Sequence, residues 1–405
     1  MLDPEYLLDI AEGAEALASE LHSDILARII KRITIRIGRS DDYLLTPIDK
    51  WQLEVLEEAG YLREDLEKLI AEKTQLELKE IKEAFEDAGV RNLEYDDEVY
   101  KNAGLQPLPM RQSPNLMRIL QRGYEATQQE WFNYTRTIAD VSQGLFISEC
   151  DRAYNLAVSG AVSYTQAYKE AINRIAKGGV TVSYPSGHED TIETATLRAV
   201  RTGISQACAQ ITDARMDEME WDTVLVSAHI GARVTAYEDH TNHAWWQGKF
   251  YSRSGEDPRY PPFEVCGMGD VQGIHGANCR HSHGPGDGAN NPFEEIDSEE
   301  NKRVYELQQA QRALERRIRR QKRDVMAYKT ALDHLPEGEH KDGVERIYQK
   351  KAAKLQELNG KYAEFCKTHE VKSQQERLAI AKWDRKQSAA ASAAARKYKQ
   401  SMQES

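Results

Sequence analysis

The chain has 405 residues, of which 30% are charged and 40% are hydrophobic. This length excludes a mini-protein and suffices for two or three domains, since one domain takes about 100 to 200 residues. No run of eighteen uncharged apolar residues occurs, so the composition also excludes a membrane-spanning helix. The five cysteines are odd in number and far apart, which does not favour a disulfide framework.

Charge is distributed unevenly along the chain. Residues 301–405 contain 25 Lys and Arg against 14 Asp and Glu, a net charge of +11. The other 300 residues contain 29 basic against 52 acidic side chains, a net charge of −23. Such asymmetry predicts a basic segment that binds nucleic acid or an acidic protein surface.

The first region, residues 1–178, is acidic and is predicted to be helical nearly throughout. Apolar residues recur every three or four positions over residues 7–29, which is typical of an amphipathic helix. A second helix is predicted over residues 47–88, and Gly89 is well placed to end it. Residues 92–114 contain one glycine and three prolines, so we expect a connector there before helices resume.

The second region, residues 179–292, is predicted to be a small α/β domain. β-branched and aromatic residues predict strands at 180–184 and 223–227, and the apolar spacing of residues 190–219 predicts a helix between them. Glycine and proline are dense over residues 252–292, and a loop of this length is usually functional or disordered.

Six of the eleven histidines lie within 55 residues of this second region, together with two cysteines. Neutral imidazole and thiolate are ligands that zinc prefers in proteins. The candidate zinc ligands are therefore His229, His240, His243, Cys279 and His281. Their spacing matches no standard zinc finger, so we favour hydrogen-bonded loop histidines and expect no bound metal or other cofactor. No nucleophile or phosphate-loop motif accompanies them, so we expect no catalytic residues and a protein that is not an enzyme.

Four aromatic residues, Trp245, Trp246, Phe250 and Tyr251, surround Gly248. Such side chains bury a large area while keeping a polar tip at tryptophan and tyrosine. Because indole rings are enriched both in cores and at interfaces, the sequence leaves two interpretations open: core packing or contact with another protein.

The third region, residues 293–405, is predicted to be a basic helical tail. Residues 304–332 carry a heptad seam with two polar interruptions, and a break at 334–338 precedes a second amphipathic helix. This pattern predicts a helical hairpin or coiled coil. Seven cations fall within about three helical turns: Arg312, Arg316, Arg317, Arg319, Arg320, Lys322 and Arg323. They are predicted to bind nucleic acid or an acidic partner, and a solvated helix face is the alternative.

Six motifs follow one another in an order and spacing that resemble one protein family. They are YPSG at 184–187, AVRTG at 199–203, VSAHIGAR at 226–233, HAWWQGKFYS at 243–252, GANCRH at 276–281 and QRALERRIR at 311–319. Together they resemble the minor capsid proteins of the second type from tailed phages, which are related to the Mu F-like head morphogenesis proteins. The resemblance is strongest over residues 180–325.

Together with the periodic patterns described above, the resemblance implies a mostly helical α+β fold with a Mu F-like α/β domain between a helical N-terminal region and a helical tail. It also implies a structural virion protein, assembled in the bacterial host cytoplasm, that lies at the portal vertex or head interior and acts in head morphogenesis and in DNA packaging or delivery. The implied partners are the portal protein, the major capsid protein and packaged double-stranded DNA, and the heptad pattern allows self-association through the C-terminal helices. The alternatives are a zinc-dependent enzyme that uses the His/Cys-rich loop and a coiled-coil scaffolding protein.

Overall fold

The computed structural model of the chain describes residues 1–37, 46–178, 180–184 and 187–403. The described part is mostly helical with a few short strands, which confirms the predicted α+β, mostly helical class. The predicted domain boundary beside Gly179 and two residues of the YPSG motif lie outside the described residues. Within these ranges, the structure contains no helix both long enough and apolar enough to cross a membrane.

The helices are α1 (Pro4–Asp9), α2 (Glu12–Ile37), α3 (Ile48–Asn102), α4 (Pro114–Val158), α5 (Tyr164–Gly178), α6 (Ile192–Glu218), α7 (His243–Trp246), α8 (Ser298–His334), α9 (Glu339–Thr368) and α10 (Arg385–Gln403). The strands are β1 (Thr181–Ser183), β2 (Glu189–Thr191), β3 (Thr223–Val226), β4 (Phe250–Ser252) and β5 (His283–Pro285). Strands β1 and β2 pair antiparallel as a two-stranded sheet.

The chain divides into two compact units, each built from discontinuous segments. Unit 1 contains Met1–Glu15, Gln75–Asn133 and Thr194–Gln309, and unit 2 contains Ala16–Thr74, Tyr134–Glu193 and Ala310–Ser405. Each unit therefore draws on all three regions predicted from the sequence. The three-region division remains a prediction about how composition changes along the chain.

Unit 1 has two apolar clusters. One combines side chains of α1, α3, α4 and α6, among them Leu7, Phe85 and Ile204, all of which are fully buried. The other contains Val224 of β3 and Trp246 of α7. Burial of large apolar side chains contributes about 1.5–3 kcal/mol each, so these clusters supply much of the stability of unit 1.

A three-stranded antiparallel sheet in unit 1 has the order β4-β3-β5. In its register Val224 lies opposite Tyr251 on one side and opposite Pro285 on the other, and Val226 lies opposite His283. The central strand β3 is almost entirely buried, as its apolar sequence predicts. Because β4 and β5 flank β3, the long Gly- and Pro-rich loop between them begins and ends beside the same strand.

Helix α3 continues through Gly89, so the predicted stop at this residue is wrong. Gly89 is buried, and a Cβ added there would lie 2.7 Å from Cε of Met110 and 3.1 Å from Cδ1 of Leu120. The glycine thus permits close packing within the helix and does not cap it. The side chain of Asn92, in the predicted connector, donates to the Cys208 carbonyl and to Thr212, which shows how this buried part of α3 is held.

Helices α4 and α6 also approach closely through glycine. A Cβ on Gly123 would lie 2.6 Å from that of Ala207, and one on Gly203 would lie 2.0 Å from Oγ1 of Thr127. The two contacts run in opposite directions along the helices, so α4 and α6 pack antiparallel in unit 1. Added methyl groups at such contacts force the helices apart.

Within unit 2, the part of α8 from residue 310 onward forms the predicted hairpin with α9. Both polar interruptions of the heptad seam help to connect them: the Gln311 amide donates to the Tyr362 hydroxyl (3.1 Å) and the Gln321 amide donates to the Lys351 carbonyl (2.8 Å). Polar residues at seam positions specify helix register at some cost in stability. Helix α10 packs against α9 through small buried alanines, including Ala391 and Ala395.

Candidate functional site

The His/Cys cluster of unit 1 is built from α7 and from the chain that leads into β5. His243 is the first residue of α7, whose second residue, Ala244, donates its backbone N–H to the Arg233 carbonyl (3.0 Å). Cys279 and His281 lie just before β5. Asn278 has a left-handed φ of 61°, which asparagine tolerates better than most residues, and so turns the chain immediately before Cys279.

Three of the five candidate ligands come together in space. One ligand atom from each of His243, Cys279 and His281 lies within 4.8 Å of the others, and all three residues are buried. The Cys279 Sγ lies 3.6 Å from Nδ1 of His281. The fold therefore brings residues that are distant in sequence, at 243 and at 279–281, together into one group.

The other two candidates lie outside this group. The ring of His229 stacks on that of His281 with centroids 4.5 Å apart, and Arg280 donates to Nδ1 of His229 (3.1 Å). Nε2 of His240 lies 3.5 Å from a carboxylate oxygen of Asp270.

Oxygen acceptors fix the tautomers of the two clustered histidines. Nε2 of His243 lies 2.8 Å from the Gln272 carbonyl, and Nε2 of His281 lies 3.0 Å from Oε1 of Gln247. Because these oxygens only accept, both Nε2 atoms carry the proton and both Nδ1 atoms keep a lone pair. Sequence reasoning missed Gln247 and Gln272, and only the position of Gln247 directly after the two tryptophans could have drawn attention to it.

Burial dominates the electrostatics of the cluster. Burial lowers the pKa of His243 to about 4 and holds the pKa of His281 well below its ordinary value. Burial also raises the pKa of the Cys279 thiol to about 11, although the backbone N–H of His281, 3.3 Å from the sulfur, acts in the opposite direction. With no metal bound, the group at neutral pH therefore consists of two neutral imidazoles and a protonated thiol.

A second polar chain runs from α6 to β5 in unit 1. Oγ of Ser205 lies 2.8 Å from Nδ1 of His275, whose Nε2 lies 2.8 Å from Nδ1 of His283, and Nε2 of His283 lies 3.4 Å from a carboxylate oxygen of Asp213. A hydroxyl, imidazole and carboxylate in sequence resemble a catalytic arrangement. Ser205 is only 2% exposed, so the unit would have to open before a substrate could reach its hydroxyl. We interpret this series of side chains as internal hydrogen bonding. No pattern in the sequence pointed to Ser205 or Asp213.

The four aromatic candidates divide into two buried and two half-buried residues. The Trp246 indole donates to the His240 carbonyl (3.1 Å), and the Tyr251 hydroxyl donates to the Trp246 carbonyl (2.6 Å), so both buried rings have satisfied polar tips. Trp245 and Phe250 keep exposed surface. Contact of these two with another protein remains a prediction.

The seven cations of α8 lie in very different environments within unit 2. Arg323 is buried and pairs with Glu193, which also accepts a hydrogen bond from Nδ1 of His22 (2.9 Å). Lys322 donates to the Leu378 carbonyl (2.5 Å), and Arg319 donates to the Arg377 carbonyl (3.4 Å). These three cations therefore help to hold unit 2 together.

Arg316, Arg317 and Arg320 are exposed, and Arg312 is half-buried. We call the three exposed residues the cationic face of α8. Within the part of the chain that the structure describes, none of the three forms an ion pair. Like charges at i and i+4, as in Arg316 and Arg320, destabilise a helix by about 0.2–0.5 kcal/mol. A polyanion bound along this face would relieve that repulsion.

Comparison with known proteins gives one match and two negative results. The family model described as phage minor capsid protein 2 matches residues 2–367. No curated protein matches the chain, and no solved structure matches it. The matched range covers about nine-tenths of the sequence, including the His/Cys cluster and the cationic face of α8. The chain therefore belongs to the phage minor capsid protein 2 family, a family of structural capsid proteins.

Proposed function

We propose that this capsid protein is associated with the portal, acts in head morphogenesis and in DNA packaging or delivery, and contacts packaged double-stranded DNA through the cationic face of α8. The observation that carries the DNA contact is the exposure of Arg316, Arg317 and Arg320 on one helix of unit 2. Guanidinium groups suit phosphate oxygens because they offer several donors in a fixed planar arrangement.

The structure supports a surface contact with the DNA backbone. The apolar stripe of α8, including the fully buried Ile318, packs inside unit 2, so the helix offers only its outer side chains. Additional cations, Arg385 and Lys386, are exposed at the start of α10 in the same unit. Arginines that approach phosphates without reaching base edges give binding that is independent of sequence and strongly salt-dependent.

We propose the portal protein and the major capsid protein as partners in the virion. The support is membership of the capsid family together with the half-buried Trp245 and Phe250 in unit 1. The seam of α8 is occupied by contacts with α9, so we expect any self-association to use another surface. Cross-linking of purified phage heads followed by mass spectrometry tests the proposal: links to portal subunits support it, and the absence of this chain from mature heads contradicts it.

The DNA contact is tested by fluorescence anisotropy of duplex DNA with the full chain at increasing salt. We expect affinity to fall steeply with salt, and the double variant Arg316→Glu/Arg320→Glu to bind more weakly. The slope of log affinity against log salt should become shallower by about two, because each lost phosphate contact reduces it by about one.

The control is Arg118→Glu/Arg122→Glu, a pair of exposed arginines with the same i, i+4 spacing on α4 in unit 1. It changes the net charge by the same amount. If both double variants weaken binding equally, the contact is a non-specific effect of net charge and the cationic face of α8 is not the DNA site. If the unaltered chain does not bind at 50 mM salt, the DNA role is wrong.

A further inference from the structure

We propose that His243, Cys279 and His281 bind one zinc ion, which fastens the Gly- and Pro-rich loop of unit 1 to α7 and β5. This inference departs from the expectation of no metal that the sequence supported. It rests on how the fold brings the three residues together, and it does not depend on the proposed contact with DNA.

The distances suit a tetrahedral zinc site. Zinc lies about 2.3 Å from a thiolate sulfur and about 2.05 Å from an imidazole nitrogen, so at a tetrahedral angle the two ligand atoms lie about 3.6 Å apart. The Sγ of Cys279 and Nδ1 of His281 are 3.6 Å apart in the structure. Because all three ligand atoms lie within 4.8 Å of one another, His243 needs only a small displacement to complete this arrangement.

The surrounding hydrogen bonds orient the ligands as a metal site requires. A metal-binding histidine almost always donates its other ring N–H to an oxygen. His243 donates to the Gln272 carbonyl and His281 donates to Oε1 of Gln247, which leaves the Nδ1 lone pair of each ring available as a metal ligand. Arg233 donates to the same Gln272 carbonyl (3.0 Å) and so holds this acceptor in place.

One hydrogen bond to the sulfur also suits a bound thiolate. The His281 backbone N–H points at Sγ of Cys279 from 3.3 Å, and such a donor stabilises negative charge on sulfur. Without metal, the Cys279 thiol lies beside the Nδ1 lone pair of His281 in a buried space. Zinc would bind all three ligand atoms at once and leave the fourth tetrahedral position for a water molecule.

The loop that carries Cys279 has little regular secondary structure, although hydrogen bonds such as that from the Ile274 backbone N–H to the Cys266 carbonyl (2.9 Å) hold parts of it. Between β4 and β5 its regular structure is the short 3-10 helix Phe263–Cys266. A metal bond between its last residues and α7 would join segments about 36 positions apart in sequence, which closes a large loop in the manner of a cross-link.

The test measures zinc in the purified full chain after supply of excess zinc and extensive dialysis. We expect about one zinc per chain, and a loss of most of it in Cys279→Ser and in His243→Gln. Cys208→Ser is the matched control, because it also removes a buried thiol of unit 1 but one outside the cluster. Less than about 0.1 zinc per unaltered chain, or full occupancy in Cys279→Ser, would overturn the proposal.

Cobalt provides a second measurement that needs no folded ligand variant. Co²⁺ added to the metal-free full chain should give intense visible bands of tetrahedral coordination and a thiolate-to-cobalt charge-transfer band. Excess zinc should then displace the cobalt and abolish both. If the unaltered chain shows only the weak bands of octahedral, water-bound cobalt, these residues do not form a thiolate site.

Discussion

Two regions of this chain contain dense runs of one residue type, and the fold treats them differently. Around the Gly- and Pro-rich loop of unit 1, histidines are mostly buried and bond to one another or to amide oxygens, as His275 and His281 show. On α8 in unit 2 a run of arginines is divided, since Arg323 is buried against Glu193 while Arg316 and Arg320 face solvent. Whether a run of histidines or arginines can bind a ligand therefore depends on which of these side chains are buried, and composition does not reveal this.

The largest predicted effect on stability concerns the buried part of α8, in contrast to its exposed face. Glu193→Ala removes the buried carboxylate that pairs with Arg323 and accepts a hydrogen bond from His22. We expect the free energy of unfolding to fall by about 3–5 kcal/mol, the cost of breaking a buried pair. Urea denaturation followed by circular dichroism measures this change.

The comparison variant is Arg316→Glu/Arg320→Glu, which alters only exposed side chains of the same helix. Its free energy of unfolding should stay within about 0.5 kcal/mol of the unaltered chain, as is usual at exposed positions. If it loses as much as Glu193→Ala, the division of α8 into a buried and an exposed part is wrong.

A smaller effect is expected in the loop of unit 1. A Cβ on Gly273 would lie 2.0 Å from the Gly267 carbonyl oxygen and 2.9 Å from that of Cys266, so the backbone must move to accept it. We expect Gly273→Ala to lower the free energy of unfolding by about 1–3 kcal/mol. Thermal unfolding together with limited proteolysis of the loop checks this.

Gly60→Ala on α3 is the control for Gly273→Ala, because apart from the neighbouring backbone of its own helix no atom lies within 4 Å of the added Cβ. A helix gains up to about 1 kcal/mol from such a change, since alanine loses less backbone entropy than glycine. Equal and small effects of the two substitutions would mean that the loop is not tightly packed.

The smallest predicted effect is a pH dependence from His22. Burial, with the charge of Arg323, holds the pKa of His22 well below its ordinary value in the folded state. The unfolded chain then binds more protons below about pH 6.5, so stability falls as the pH decreases from there by up to about 1.4 kcal/mol per unit. His22→Asn, whose amide can still donate to Glu193, should reduce this slope in urea denaturation between pH 7.5 and 5.

Measurements at pH 8 serve as the internal control for this prediction. There His22 is neutral in both states, so protonation contributes no difference between the two proteins. An unchanged slope in His22→Asn would show that other groups cause the acid sensitivity.

Much of the fold could be predicted from periodic patterns in the sequence. The seam of α8, the break after His334 and the partner helix α9 follow directly from apolar spacing, and strand β3 follows from a short β-branched run. The stop at Gly89 could not be predicted correctly, because the reason for this glycine is the close approach of Met110 and Leu120 from another segment. Local rules for helix ends carry no information about such contacts.

The candidate site was predictable in its residue types and not in its arrangement. His243, Cys279 and His281 were among the five candidate ligands predicted from the sequence. These three come together because α7 lies close to the segment that leads into β5. Burial of Glu193 beside Arg323 had no sequence signal, since the two residues are 130 positions apart. Long-range pairing of this kind emerges only when the helices have packed.

Gln247 shows how much can depend on one amide oxygen. Its Oε1 accepts from the His229 backbone and from the His281 ring, which settles which end of the amide faces each donor. A glutamate would match this residue in shape, yet its negative charge would favour a second proton on the imidazole and so remove the lone pair that faces Cys279. At this position a neutral acceptor of the right length governs what the neighbouring ring can bind.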